Sequence, residues 1–272
     1  MNGVGSIGFV AGTAAVAAWL GLAGGAGAVV RTEDVTYEGG GVAMKGLVAW
    51  DDAVSGRRPG VLVVHEWWGH NDYARKRARM LAEAGYVALA VDMFGDGKTA
   101  AHPEDAGKFA AEAMADLDAA RQRFEAARAV LAARPETDPG KIAAIGYCFG
   151  GGVVLQMARL GMDLKAVASF HGSLGARVPA ARGAVRAKIL VCHGAEDAFV
   201  RPEAVQAFRE EMDAAGADYR VLVHPGAAHG FSNPDATAKG EEFGLPIAYR
   251  KEADEASWQA LRELLAAAFA AG

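Results

Sequence analysis

The sequence predicts an α/β fold: a mostly parallel central sheet with helices on both faces. Two observations carry that prediction. Short, wholly apolar runs recur along the chain, and longer stretches with helical apolar spacing separate them. Strands buried on both faces and alternating with helices are how a parallel sheet reads in sequence. A third observation sets the extent. After Val30 no Pro/Ser/Gly linker or internal repeat divides the chain, so residues 29–272 are expected to form one domain.

Two edge-like strands come first, Thr32–Tyr37 and Val42–Trp50, with Gly39-Gly40-Gly41 as the turn between them. Buried runs of the parallel kind follow at Gly60–Glu66, Val87–Asp92, Ile142–Gly146, Ala166–Phe170 and Lys188–His193, and a last strand spans Tyr219–His224. Helical patterns occupy Asn71–Ala84, Pro103–Ala133, Gly151–Arg159, Pro202–Ala215 and Ala253–Ala270. The long stretch Pro103–Ala133, with Glu112, Asp116 and Asp118 at polar positions, reads as one sheet-covering helix.

Composition narrows the function classes. Of 272 residues, 52% are hydrophobic and 22% charged, which suits a sizeable core and excludes a disordered chain. The 28 basic and 33 acidic residues leave a net charge of -5 with no basic run, so the cationic footprint of a nucleic-acid binder is missing. Two cysteines can form neither a disulfide framework nor a four-thiolate zinc site. Residues 1–30 carry no charge. Ile7–Leu22 is apolar, and Ala26-Gly27-Ala28 has the small-x-small pattern of a signal-peptidase site. Residues 1–28 are therefore expected to be a cleaved export signal, although no Lys or Arg precedes the apolar core. The expected location is the periplasm or outside the cell, with the cytoplasm as the alternative. The short, glycine-broken core makes a poor permanent anchor.

In a parallel α/β sheet ligands bind beyond the C-terminal strand ends. Those ends hold His65-Glu66-Trp67-Trp68-Gly69, Asp92-Met93-Phe94, Gly146-Tyr147-Cys148-Phe149-Gly150, Phe170-His171-Gly172, His193-Gly194-Ala195-Glu196-Asp197 and His229-Gly230-Phe231. The sharpest is Gly146-Tyr147-Cys148-Phe149-Gly150, a G-x-S-x-G nucleophile elbow with cysteine for serine. The flanking glycines let helix and strand approach, and the strained turn lifts the sulfur above the sheet. Cys148 would stand at a helix N-terminus, which favours thiolate, with the Phe149 N–H facing a developing oxyanion. The alternative is a buried structural cysteine in a glycine-rich turn.

The elbow implies an acid after a later strand and a histidine after the last one. Asp197 and His229 stand there, His229 to take the Cys148 proton and Asp197 to orient its ring. Singly, Asp197 could cap the helix at Pro202 and His229 could be an ordinary loop residue. The order Cys, Asp, His favours the triad. His193 and His224 compete but sit closer to their strands.

With these residues in place, the chain from Arg31 onward resembles the dienelactone hydrolase family of α/β-hydrolases. The likeness rests on His65 to Gly69, Ala84-Gly85-Tyr86 with Asp92, Gly146 to Gly151, His193-Gly194 with Asp197, and His229-Gly230-Phe231. It implies Cys148 as nucleophile, His229 as base and Asp197 as acid. It also implies Glu66 as the glutamate that contacts the thiol and the Trp67 N–H as a second oxyanion donor beside Phe149. Glu66 has its own rationale, since a carboxylate opposes a thiolate that helix and imidazole favour. The alternative for Glu66 is a simple pair with a neighbouring arginine.

The family grips its substrate carboxylate with two arginines, and here Asp96 and Asn233 stand in those places. Neither offers a bidentate fork, so the carboxylate-bearing lactone is not the expected substrate. Trp67, Trp68, Phe94, Phe231 and Asn233 are expected around a largely neutral pocket, core packing being the alternative for the aromatics. His65 to His70 misses the zincin H-E-x-x-H spacing, Asp92 to Thr99 lacks the first Walker A glycine, and Cys148 replaces the second glycine of a dinucleotide loop. No cofactor is implied. The expected activity is hydrolysis of carboxylic esters or lactones. The alternatives are thioesterase or other acyl-transfer specificity on the same triad, and a non-catalytic binder. The expected partner is a small-molecule ester or lactone, and nothing in the sequence sets the oligomeric state. Cys192 is expected to be a small buried residue, roughly 9–10 Å from Cys148 with one strand between them.

Overall fold

The computed structural model describes residues 29–270; the expected export signal, residues 1–28, lies outside the described residues. The first two strands, β1 (Val30–Gly39) and β2 (Val42–Asp51), form an antiparallel hairpin. Its turn uses Gly40 and Gly41 at φ 57° and 74°, the left-handed region that glycine enters without steric cost. Then come β3 (Arg58–Val64), α1 (Asp72–Glu83) and β4 (Val87–Val91). Asn71 caps α1 by accepting the Tyr73 N–H at 3.2 Å, as a short amide side chain does at an N-cap.

The stretch read as one helix is two, α2 (Pro103–Ala115) and α3 (Leu117–Ala132). Asp116 breaks it. Its backbone is extended (φ -107°, ψ 111°), and its carboxylate accepts the N–H groups of Asp118 and Ala119 at 2.9 and 3.1 Å. An Asp on a polar helical face and an Asp at an N-cap look alike in sequence, and here the backbone donors won the side chain.

Next are β5 (Thr137–Tyr147), α4 (Phe149–Arg159), β6 (Ala166–Phe170), β7 (Lys188–Gly194), α5 (Pro202–Ala215) and β8 (Tyr219–His224). The chain closes with α6 (Ala236–Phe243), which the sequence reading did not anticipate, and α7 (Lys251–Ala270). β5 begins earlier than the apolar run, with a register shift opposite Pro59/Gly60.

The strands form one eight-stranded sheet in the order β1-β2-β4-β3-β5-β6-β7-β8, parallel from β4 to β8 and antiparallel at β1 and β2. One face buries Phe124 and Leu131 of α3, Val153 and Met157 of α4, and Phe208 and Met212 of α5. The other buries Tyr73, Ala78 and Leu81 of α1 and Leu261, Leu265 and Phe269 of α7. Val61 to Val64, Val87 to Val91 and Ala143 to Ile145 are 0% exposed. This two-sided burial explains why these strands read as continuous apolar runs. β3 lies between β4 and β5, so the chain leaves it in both directions. The crevice opens there, between the loops after β3 and β5.

Candidate active site

Cys148 sits between β5 and α4 at φ 52° and ψ -114°, one of three described non-glycine residues at positive φ. A backbone held there costs on the order of 1–3 kcal/mol, which the surrounding packing must offset. The neighbouring glycines show how tight that packing is. A Cβ on Gly146 would fall 2.7 Å from Gly151 N and closer still to Gly150 O. One on Gly150 would fall 2.6 Å from His65 O and closer to Val64 O. The Cys148 N–H donates to Phe170 O at 3.0 Å, tying the turn to β6. Phe149 is the first residue of α4, where the helix offers its N–H no internal acceptor.

His229 lies on the loop after β8. Its Nδ1 and Asp197 Oδ2 are 2.8 Å apart, and the ring shares a cavity wall with Cys148. Gly194 permits the approach, because a Cβ there would meet the Ala227 and Ala228 carbonyls. The other oxygen of Asp197 accepts the Phe199 and Val200 N–H groups at 2.9 and 3.1 Å. Asp197 therefore braces its own loop rather than capping α5, whose N-cap is Arg201. Burial alone would raise the Asp197 carboxyl, but His229 and the two N–H donors hold it below the usual carboxylate range. Burial likewise opposes charge on His229, yet Cys148 and Asp197 outweigh it and push the imidazole up to about 10. His193 and His224 are buried too, and burial lowers both; Asp197 bonds neither ring directly.

Glu66, two residues past the end of β3, lines the same cavity as Cys148 and is 5% exposed. Its Oε2 accepts the Asn233 Nδ2–H at 2.6 Å. Burial pushes the carboxyl up to about 7, against the Asn233 hydrogen bond and the charges of His229, Lys239 and Arg77. The direct partner of Glu66 is thus a neutral amide, not an arginine. His65 is a strut beneath it. Its Nε2 accepts the Met93 N–H at 3.1 Å, which leaves the Nδ1 proton for the Glu66 carbonyl at 2.5 Å.

Cys148, Glu66 and His229 open into a cavity of about 310 Å³. Trp67, Trp68, Phe149 and Asn233 line it. Phe94 and Phe231 do not. Phe94 packs behind the wall, 4.6 Å from the His65 ring and 5.4 Å from Phe149, and Phe231 is fully buried against His171 and His224. Asp96 is exposed in a positive-φ turn away from the cavity. The walls also include residues the sequence reading missed: Phe199, Val200, Ala110, Ser173, Ala236 and Ile247. Of these only Phe199 had a sequence signal, an aromatic two places after a candidate acid. It is 53% exposed and meets His229 edge-on at 5.0 Å. Lys239 of α6 lies over the Trp68 ring, 4.2 Å from its centroid. Both cysteines are free, and Cys192 is buried in β7, with β6 between it and β5. Among the described residues no helix is long and apolar enough to cross a membrane.

Comparison with known proteins agrees with this architecture. The dienelactone hydrolase family profile matches residues 44–269. Protein usf of Aquifex pyrophilus is 28% identical over 232 residues, 80% of this chain and 97% of that protein. A Yersinia pestis protein provisionally named a carboxymethylenebutenolidase is 26% identical over 75% of this chain and 79% of its own length. Among solved structures, the dienelactone hydrolase-like promiscuous phosphotriesterase P91 from metagenomic libraries superposes with a TM-score of 0.83 at 37% identity, covering 88% of this chain and 98% of P91. The eight-stranded sheet is an α/β-hydrolase sheet, and the chain belongs to the dienelactone hydrolase family, as a hydrolase of ester or lactone bonds.

Proposed function

We propose that the protein hydrolyses uncharged carboxylic esters or lactones through a Cys148–His229–Asp197 triad and an acyl-enzyme. The observation that carries this reading is the His229 ring, bonded to Asp197 through Nδ1 and lining one cavity with Cys148. In the first step Cys148 Sγ bonds to the substrate carbonyl carbon, and the carbonyl π electrons move onto oxygen. The N–H groups of Phe149 and Trp67 receive that oxyanion. Collapse breaks the C–O bond, and the alcohol leaves with the proton held by His229. Water then gives a proton to His229, attacks the thioester carbon and releases the acid, returning Cys148. Asp197 keeps the Nδ1 proton in place throughout. Glu66 lines the same cavity as Cys148, held there by Asn233.

The absence of an arginine at Asp96 and Asn233, and walls formed mainly by Trp67, Trp68, Phe199, Val200 and Ile247, support an uncharged substrate. The same features favour a second reading, attack on an uncharged phosphotriester. It is motivated by P91, which covers nearly its whole length against this chain. A rapid-mixing assay with an activated aryl ester tests the main reading. A burst of aryl alcohol equal to the enzyme concentration is expected, and it disappears in Cys148→Ala. Unchanged turnover in that variant excludes Cys148 as nucleophile. We also propose that residues 1–28 act as an export signal. N-terminal sequencing of protein from the native host checks this, and an intact residue 1 contradicts it.

A further inference from the structure

Behind the His229 ring, away from the cavity, runs a buried polar chain that acyl transfer does not use. Arg77 of α1 is 3% exposed and forms an ion pair with Asp254 of α7. The rings of Tyr73, Tyr147 and Trp258 surround its guanidinium, with centroids 5.3, 5.4 and 5.3 Å away. Arg77 donates to the Ser232 carbonyl at 2.7 Å and, through Nε, to Tyr73 Oη at 3.2 Å. Tyr73 Oη lies 2.7 Å from Ser232 Oγ, which lies 2.7 Å from His171 Nε2. The His171 ring in turn meets the His229 ring edge-on, centroids 5.2 Å apart. Ser232 is three residues beyond His229 on the loop that also holds Asn233, and Tyr147 directly precedes Cys148. One buried cation therefore touches both the elbow strand and the base loop.

The proton order of this chain follows from its first member. A guanidinium can only donate, so the Tyr73 oxygen accepts from Arg77; among the described residues Ser232 Oγ is the one acceptor its own proton reaches, so that proton passes to Ser232. Ser232 Oγ, accepting from Tyr73, then has its proton available for His171 Nε2. That nitrogen must present a lone pair.

We propose that Arg77 polarises the chain in one direction, through Tyr73 and Ser232 to His171, and makes His171 a positioning residue. It is a neutral imidazole held in the Nδ1–H tautomer from the Nε2 side alone, its Nδ1 having no partner among the described residues, and the His229 ring is set against it. The inference rests on the reading of His229 as base only for its consequence in catalysis. Among the groups that face His171, His229 comes from the loop after β8, Tyr147 from β5, and Tyr73 and Arg77 from α1; Cys192 of β7 meets it through the backbone carbonyl. Asp254 of α7 and Glu66 stand one shell further, against Arg77 and the two tyrosines. Burial, then the charges of His229 and Arg77, holds His171 well below the ordinary imidazole range. A second imidazolium beside His229 is thereby prevented.

Long-range 1H–15N NMR of the histidine rings from pH 5 to 9 tests the arrangement without any substrate. His171 is expected to stay neutral with its proton on Nδ1. In Tyr73→Phe the Ser232 hydroxyl is freed and His171 is expected to populate the Nε2–H tautomer. In the same variant kcat should fall about tenfold with KM held within about twofold, and the acidic limb of the pH–rate profile should move. Should Tyr73→Phe fail to fold, Ser232→Ala is measured in the same way. A wild-type His171 protonated on Nε2, or a fall in kcat with the His171 tautomer unchanged, overturns the proposal. Persistence of the ester burst in Cys148→Ala would instead sink the triad reading and leave the NMR result standing.

Discussion

Replacing Glu66 with glutamine separates the cost of a buried carboxylate from everything else at the site. Glu66→Gln keeps the shape of the side chain and an oxygen for the Asn233 Nδ2–H. Burial raises the wild-type carboxyl from 4.5 to about 7. At about 1.36 kcal/mol per pH unit this corresponds to roughly 3 kcal/mol. The sign follows from proton linkage. Between pH 4.5 and 7 the folded protein holds a proton that the unfolded chain has released, so wild-type stability declines as pH rises through that window. Above about pH 7 the full cost is present. The glutamine variant has no such proton, and any packing or hydrogen-bond penalty it carries is the same at every pH. The stability of Glu66→Gln relative to wild type should therefore rise by about 3 kcal/mol between pH 4.5 and 8, or about 6–12 °C in Tm for a domain of this size. Urea unfolding at the two pH values measures it. A difference between the two proteins that does not change with pH would refute the reasoning, as would a change of opposite sign.

Asp197→Asn should lower kcat about 10³–10⁴-fold, because the amide favours the wrong His229 tautomer, while thermal unfolding shifts little; a loss under tenfold contradicts the triad geometry. Gly150→Ala sets a methyl against the Val64 and His65 carbonyls and should cost about 1–3 kcal/mol by urea denaturation, with the elbow displaced and activity reduced together. Ala110→Phe fills the cavity from α2 and should abolish turnover of bulky aryl esters while sparing acetate esters. Equal losses on both would show that the cavity does not receive the substrate.

The sheet and the places of the candidate triad residues could be read from sequence for one physical reason. Strands buried on both faces are continuously apolar, so their C-terminal ends are marked, and Cys148, Asp197 and His229 stand at those marks. Gly146 and Gly150 were legible because nothing larger fits where the start of α4 meets β5 and the end of β3. What stayed hidden depends on packing that local pattern does not encode. Phe94 and Phe231 follow strand ends as Trp68 does, but all three lie in loops, whose path and side-chain directions no strand periodicity sets, and those two are buried away from the cavity. Helix α6 is short, and its Trp68 neighbour comes from a distant segment. Ala110 carries no chemical signal at all. Asn233 was noticed as a missing arginine, yet what it does in the fold is hold Glu66, a contact across 167 residues of chain.

The central claim is a covalent acyl group on Cys148. Acid quenching of the enzyme with a slowly deacylating aryl ester, followed by mass spectrometry of the peptides, tests it most directly. The account predicts one acyl mass, confined to the peptide that contains Cys148 and absent from Cys148→Ala. An adduct on another residue, or hydrolysis with no adduct while Cys148→Ala keeps full activity, would contradict it.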